Sequence, residues 1–191
     1  TVVFDLDDTL YNQIEPFKQA IKASFSTDIL TKYKISISLL YIKFRFFSDL
    51  AFPKTVDGSL SLEDMRRFRI KEAFNFFGCV ITIEEVENFQ KNYKLYQEKI
   101  ELLDEMKQLL VELTNQNIQL AILTNGPTNH QKDKIKQLGV GQFISETHHF
   151  ISEEVGIAKP DVAVFKLIED RLNVSTEDLI YIGDSHENDV V

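Results

Sequence analysis

The sequence predicts an α/β fold, in which a parallel sheet is flanked by helices and an all-helical domain is inserted after the first strand. Two patterns support this prediction. Short apolar runs rich in β-branched or aromatic residues alternate with helical stretches in the second half of the chain, and such alternation is typical of a parallel sheet. The interval 12–97 breaks the alternation because it is long, aromatic and helical in its periodicity.

Four apolar runs are predicted to be buried strands, because each is short and is followed by turn formers or polar groups. They are Val2–Phe4, 118–123, 150–151 and 179–182. Helical periodicity separates the later runs, since apolar residues recur on one face of each intervening stretch. Those faces contain Leu102, Leu103, Met106, Leu109 and Leu110, then Ile135 and Leu138, then Phe165, Leu167, Ile168 and Leu172.

The domain boundaries are predicted from this pattern, because no Pro- or Gly-rich linker marks them. We expect an α/β core formed by residues 1–11 and 98–191, incomplete at both ends, and a helical cap formed by residues 12–97. The apolar stretch 35–47 contains Lys43 and Arg45, and it is shorter than the roughly 20 residues that a membrane-spanning helix needs. We interpret it as a buried helix face.

Composition excludes several classes of protein. The chain has 191 residues, of which 43% are hydrophobic and 27% charged, as expected for a folded domain. Its net charge of −9 disfavours nucleic acid as a partner, because a phosphate backbone would be repelled. Cys79 is the one cysteine, so no intrachain disulfide can form, and no export signal is recognisable. We therefore expect a cytoplasmic protein without a membrane partner.

Polar segments follow the predicted strands or the loops that lead to the next helix. The carboxyl ends of parallel strands lie at one edge of a sheet, where ligands bind in open α/β folds. We therefore expect these segments to come together although they are far apart in sequence. The segments are 5–9, 124–126, 159–160 and 183–189.

The first and last segments supply carboxylates. Asp5 follows the first strand and could attack phosphorus to form an acyl phosphate. Asp7 lies two residues further on, where an extended backbone would place it on the same side, able to protonate the leaving oxygen and later to activate water. Asp5 and Asp184 together could bind Mg²⁺, which prefers carboxylate and water oxygens.

The middle segments supply donors for a phosphoryl group. Lys159 offers a compact positive charge, and Thr124 offers a hydroxyl beside the backbone N–H groups of Asn125 and Gly126. Pro160 is predicted in the first turn of the next helix, which would direct the amino end of that helix toward the site.

Two further acidic residues are assigned supporting roles. Asp189 lies five residues after Asp184, where it could orient Lys159 or a metal-bound water as an outer group. We interpret Asp8 as structural or solvent-facing.

These residues resemble the motifs of the haloacid dehalogenase superfamily, phosphatase branch. The resemblance implies a Rossmann-like sheet, a helical cap of the C1 type, obligate Mg²⁺ and an aspartyl-phosphate intermediate. It also implies that the backbone carbonyl of Asp7 is a metal ligand, and that Thr9 belongs with the phosphate-binding groups. The matching residues, in four motifs, are Asp5, Asp7 and Thr9; Thr124; Lys159; and Gly183, Asp184 and Asp189.

The segments 124–128 and 151–160 are also similar to house-cleaning pyrimidine 5′-nucleotidases. We predict a Mg²⁺-dependent phosphomonoester hydrolase, monomeric or homodimeric, that acts on a small phosphorylated metabolite such as a nucleoside monophosphate. The alternatives are a sugar phosphomutase, a haloacid dehalogenase-type hydrolase and a non-catalytic binding relative. Asp7 favours ester hydrolysis over dehalogenation, because a departing alkoxide needs a proton and a halide does not.

Overall fold

In the computed structural model, which describes residues 1–189, the chain forms two compact units. One unit comprises residues 1–13 and 100 onward, and the other comprises residues 14–99. The first is α/β and the second is entirely helical, as the sequence predicts. No helix in the described part of the chain is both long and apolar enough to cross a membrane.

The α/β unit contains a parallel sheet of four strands in the order β3-β2-β1-β4. Its strands are β1 (Val2–Phe4), β2 (Leu120–Thr124), β3 (His149–Ile151) and β4 (Ile180–Ile182). Its α-helices are α6 (Asp104–Asn115), α7 (Thr128–Gln137), α8 (Ser152–Val155), α9 (Val162–Leu172) and α10 (His186–Asp189), with short 3₁₀ turns at Val140–Gln142, Glu146–His148 and Thr176–Asp178.

Side chains that alternate along the strands divide the core of this unit into two layers. Phe4 packs on one face of the sheet with Leu110 of α6 and Ile135 of α7. Val3 points to the other face and packs with Ile168 of α9. Because neighbouring strand residues face opposite sides, a run that is apolar throughout requires helices on both faces, and the chain supplies them.

The helical unit contains α1 (Ile14–Ser24), α2 (Thr27–Lys32), α3 (Ile37–Val56), α4 (Leu62–Asn75) and α5 (Ile83–Gln97). Its core is a cluster of aromatic rings, in which Phe17 lies 4.9 Å from Phe44 and Phe89 stacks on Tyr93 at 5.5 Å between ring centroids. The helix starts are defined locally. In α5, Thr82 and the Glu85 side chain form a reciprocal capping box, which satisfies N–H groups that a helix start leaves unpaired.

Helix α3 differs in part from the predicted buried helix face. Leu40 and Phe44 are buried, whereas Leu39, Ile42 and Phe46 are more than half exposed. The apolar residues of this stretch surround the helix, and one side of a helix is enough to contact a core. The prediction is correct for one face of α3 and wrong for the other.

Candidate active site

The sheet brings three sequence-distant segments to one edge. Asp5 directly follows β1, Thr124 is the last residue of β2, and Asp184 lies two residues after β4. The register pairs Phe4 with Ile182 on one side and with Ile122 on the other. The three polar segments therefore leave the sheet side by side, as predicted for segments that follow parallel strands.

Lys159 is buried among acidic groups at this edge. Its Nζ lies 2.9 Å from Asp5 Oδ1 and 2.7 Å from Asp189 Oδ1, and the side chain is only 3% exposed. It also donates to the Tyr181 hydroxyl at 2.6 Å. A buried ammonium group is stable only when it is paired and hydrogen-bonded, and these partners meet that requirement. The structure thus joins Asp5, Lys159 and Asp189, which the sequence analysis grouped.

The amide of Asn125 fixes the backbone of Lys159. Its Nδ2 donates to the Lys159 carbonyl at 2.9 Å, and its Oδ1 accepts from the Lys159 N–H at 2.9 Å. The Gly126 N–H donates to Ser152 Oγ at 2.9 Å. Asn125 and Gly126 are predicted from the sequence to bind phosphate. The Gly126 N–H is taken by Ser152 Oγ, whereas phosphate binding by the backbone N–H of Asn125 stays a prediction.

The prediction for Pro160 was wrong. Helix α9 begins at Val162, and its N-cap is Asp161, whose side chain accepts from the Ala163 N–H at 2.9 Å. Pro160 therefore precedes the cap instead of occupying the first turn, and its bond to Lys159 is cis. An aspartate is a strong N-cap residue because its carboxylate satisfies an unpaired helix N–H, and this local preference sets the helix start.

Carboxylate oxygens of Asp5, Asp184 and Asp189 lie within 4.8 Å of one another. Oxygen donors of this kind suit Mg²⁺, so the cluster fits the predicted metal. Asp189 is held there by the Ser185 N–H, which donates to its Oδ2 at 2.9 Å. Gly183 makes room for this arrangement, because a Cβ at that position would collide with the Asp189 carboxylate. Asp189 contacts Lys159, which agrees with one of its two predicted roles, but its place among the clustered carboxylates differs from the predicted outer position.

Burial governs the protonation of the site. The pKa of Asp5 is raised to about 6, chiefly because burial disfavours its ionised form, although Lys159 acts in the opposite direction. The charge of Asp7 raises that pKa further. The pKa of the Tyr181 hydroxyl is also raised, first by burial and then by the negative charges of Asp5 and Asp189. Tyr181 therefore stays protonated beside Lys159.

The Asp7 side chain is absent from the carboxylate cluster found among the described residues. Its oxygens accept from Lys134 at 2.7 and 2.8 Å and from Gln131 and Gln13 at 3.1 Å each. The Tyr11 hydroxyl donates to the same carboxylate. The Asp7 side chain therefore has its own set of donors, and the backbone carbonyl of Asp7 as a metal ligand stays a prediction.

These donors are not among the site residues predicted from the sequence. Gln131 and Lys134 are nearly fully buried on α7, at the helical spacing that continues through Ile135 and Leu138. Residues at i, i+3, i+4 and i+7 share a helix face. Two polar residues on an otherwise apolar face were thus a visible signal that this face meets a polar partner.

Asp8 and Thr9 follow Asp7 in the chain and differ in their contacts. Asp8 adopts a φ of 59° and accepts from the Gln13 N–H at 2.7 Å. Aspartate tolerates this left-handed conformation better than most residues, so Asp8 is structural, as interpreted. The Thr9 hydroxyl is buried and has no hydrogen-bond partner among residues 1–189. Its assignment to phosphate binding stays a prediction.

A family profile described as haloacid dehalogenase-like hydrolase matches residues 1–191. The chain belongs to the haloacid dehalogenase-like hydrolase family. This membership agrees with the order of the four motifs and with the observed sheet and helical unit.

Proteins with different activities are similar to this chain over most of its length. A glyceraldehyde 3-phosphate phosphatase from Methanocaldococcus jannaschii is 24% identical over 99% of this chain and 78% of its own. The magnesium-bound structure of the HAD-hydrolase YfnB from Bacillus subtilis covers 99% of this chain and 79% of its own, with a TM-score of 0.67 and 22% identity. A dehalogenase structure covers 98% and 77%, with a TM-score of 0.74 and 14% identity.

These similarities define the fold of this haloacid dehalogenase-like hydrolase but not its reaction. A phosphatase and a dehalogenase both align with nearly the whole chain. A shared fold can carry different chemistry, so the reaction must be inferred from the side chains of the site.

Proposed function

We propose that this protein is a Mg²⁺-dependent phosphomonoester hydrolase that acts on a small phosphorylated metabolite through an aspartyl-phosphate intermediate. One observation carries the proposal. The Lys159 ammonium lies 2.9 Å from the Asp5 carboxylate, and carboxylates of Asp184 and Asp189 complete an acidic cluster around Asp5. A buried nucleophile beside a cation and a set of oxygen ligands is the arrangement that phosphoryl transfer requires.

In the first step, an Asp5 oxygen forms a bond to phosphorus while the bond between phosphorus and the ester oxygen breaks. Asp7 gives a proton to that oxygen, so an alcohol leaves and Asp7 becomes a carboxylate. In the second step, Asp7 takes a proton from water, and the water oxygen bonds to phosphorus while the bond between Asp5 and phosphorus breaks, which frees the Asp5 carboxylate and inorganic phosphate. The use of one residue first as acid and then as base balances the protons over the cycle.

The remaining groups stabilise charge. Lys159 would contact the phosphoryl oxygens, and the hydroxyl of Thr124 would add a donor from the end of β2. Asp5 and Asp184, with the backbone carbonyl of Asp7, would hold Mg²⁺, and Asp189 would orient Lys159. Bound Mg²⁺ would supply positive charge that favours ionised Asp5 and reduces its repulsion from the substrate phosphate.

Asp7 supports ester hydrolysis over dehalogenation and over a binding role without catalysis. Halide leaves without a proton, so a dehalogenase has no need of an acid at this position. A non-catalytic relative would likewise have no chemical need for Asp7, whose carboxylate is surrounded here by buried donors. A sugar phosphomutase would use the same first step and pass the phosphoryl group to a sugar.

The proposed substrate class follows from the similar phosphatase, which is named for a small phosphorylated aldehyde. The resemblance of segments 124–128 and 151–160 to pyrimidine nucleotidases adds nucleoside monophosphates to that class. We expect the helical unit to act as a cap that selects among them.

The test is hydrolysis of p-nitrophenyl phosphate by the whole chain, with Mg²⁺ and with EDTA. We expect Mg²⁺-dependent release of phosphate that is lost in Asp5→Asn. Asp133→Asn is the matched control, because Asp133 is an exposed aspartate on α7 and should leave activity unchanged. Full activity of Asp5→Asn would remove the assigned nucleophile. A panel of phosphorylated metabolites, including nucleoside monophosphates and sugar phosphates with product analysis, would then identify the substrate and reveal any mutase reaction.

A further inference from the structure

A second buried lysine, Lys134, has no role in the reaction described above. Its side chain is 5% exposed, and its Nζ lies 2.7 and 2.8 Å from the two oxygens of Asp7. Removing an ammonium group from water costs several kcal/mol unless a partner offsets that cost. The fold places this charge against the residue assigned to proton transfer, in a helix that follows the Thr124 segment.

Gln131 links the same carboxylate to the phosphate-binding segment. Its Nε2 lies 3.1 Å from Asp7 Oδ2, 2.5 Å from Thr124 Oγ1 and 3.0 Å from the Asn125 carbonyl. Gly126 passes close to this amide, because a Cβ there would lie 3.2 Å from the Gln131 side chain at a backbone φ of +145°. The position of Gln131 is therefore fixed by its surroundings, and through it the position of Asp7.

The Asp7 carboxylate is held from two sides. Lys134 and Gln131 approach from α7, while Tyr11 and Gln13 approach from the segment after β1. A carboxylate whose two oxygens both accept hydrogen bonds has little rotational freedom. The Gln131 amide also contacts Thr124 and the Asn125 carbonyl, so it ties Asp7 to the segment at the end of β2.

We propose that Lys134, together with Gln131, is a positioning residue for the general acid and base Asp7. The proposal rests on the proposed phosphomonoester hydrolysis. During the first step, one Asp7 oxygen faces the ester oxygen and transfers its proton as the ester bond breaks and the bond from Asp5 to phosphorus forms. Lys134 contacts both Asp7 oxygens, so its contact with one oxygen keeps the acid in place while the other oxygen turns to the ester. Small displacements of catalytic groups slow reactions strongly.

The test compares leaving groups in Lys134→Met, whose side chain replaces the ammonium with an apolar end. The parameter is kcat/KM for a series of substituted phenyl phosphates, because it reports the step in which the ester bond breaks. A leaving phenolate needs the proton when the pKa of its phenol is high, whereas the dinitrophenolate ion leaves without one. We expect a loss of roughly 10- to 100-fold for phenyl phosphate and less than about threefold for 2,4-dinitrophenyl phosphate.

Lys136→Met is the matched control, since Lys136 is an exposed lysine on the same helix and should retain the wild-type values. Asp7→Asn should show the same dependence on the leaving group, and adding Lys134→Met to it should cause little further loss, because Lys134 acts through Asp7. Should Lys134→Met not fold by circular dichroism, Tyr11→Phe removes one neutral donor from the same carboxylate and should give the same pattern with a smaller amplitude.

Equal losses across the series, or a full additional loss in the double variant, would overturn the proposal and leave Lys134 with a structural role. Wild-type protein that hydrolyses the series would at the same time uphold the proposed function. A wild-type protein without hydrolysis of any of these esters would overturn the proposed function and this inference together.

Discussion

Replacing Asp5 with asparagine is expected to stabilise the metal-free protein at neutral pH while abolishing its activity. In the folded protein the pKa of Asp5 is raised to about 6 from an ordinary value of 3.8, mainly by burial. The folded protein therefore binds this proton more tightly than the unfolded chain does. The resulting contribution to stability is complete below about pH 3.8 and is lost as the pH rises through about 6.

The size of the effect follows from the two pKa values. They differ by about 2 pH units, and each unit corresponds to about 1.4 kcal/mol, so ionised Asp5 lowers the free energy of unfolding by about 3 kcal/mol. Asparagine has the shape of the neutral acid and carries no charge. Asp5→Asn should therefore exceed the wild type by about 3 kcal/mol near pH 8 and by less than about 1 kcal/mol near pH 4.

The assay is urea unfolding in EDTA, followed by circular dichroism, with hydrogen exchange of the β1 amides to read the α/β unit separately. Asp133→Asn, the exposed control on α7, should follow the wild type at both pH values. Equal stabilities of wild type and Asp5→Asn near pH 8 would refute the reasoning. A difference that stayed the same near pH 4 would also refute it, because a titrating carboxyl group would then not be its source.

Three further predictions concern the metal cluster, the support of Lys159 and the helical unit. Mg²⁺ should raise the urea midpoint of the wild type and have much less effect on Asp184→Asn, which lacks one of the clustered carboxylates; equal responses would contradict a metal site there. Asn125→Ala removes two hydrogen bonds to the Lys159 backbone. This substitution should lower the free energy of unfolding by about 2 kcal/mol and reduce ester hydrolysis. Unchanged values in both assays would show that these two hydrogen bonds are dispensable. Thr82→Ala breaks the capping box with Glu85 and should cost about 1 kcal/mol. Hydrogen exchange of the α5 amides measures this loss, and unaltered protection would show that the capping box does not stabilise α5.

Much of the candidate site could be predicted because its residues follow strands. Val2–Phe4 is apolar throughout and is followed directly by Asp5, so the edge of a parallel sheet is its expected location. The motif spacing of Gly183, Asp184 and Asp189 is likewise readable along the chain. A local preference was misleading at Pro160, which suggested that a helix begins there. Asp161 is the N-cap instead, and the helix begins at Val162.

The sequence by itself determined the order of strands and helices, the segments that meet at the sheet edge and the kinds of chemical group they bring. Tertiary structure decided which groups touch. The two lysines have the same charge, yet packing aims Lys159 at Asp5 and Asp189 and aims Lys134 at Asp7. Packing also places Ser152 Oγ where it accepts a hydrogen bond from the Gly126 N–H. The physical reason is that buried polar groups must find partners within a few ångströms, and the position of a helix against a sheet chooses those partners.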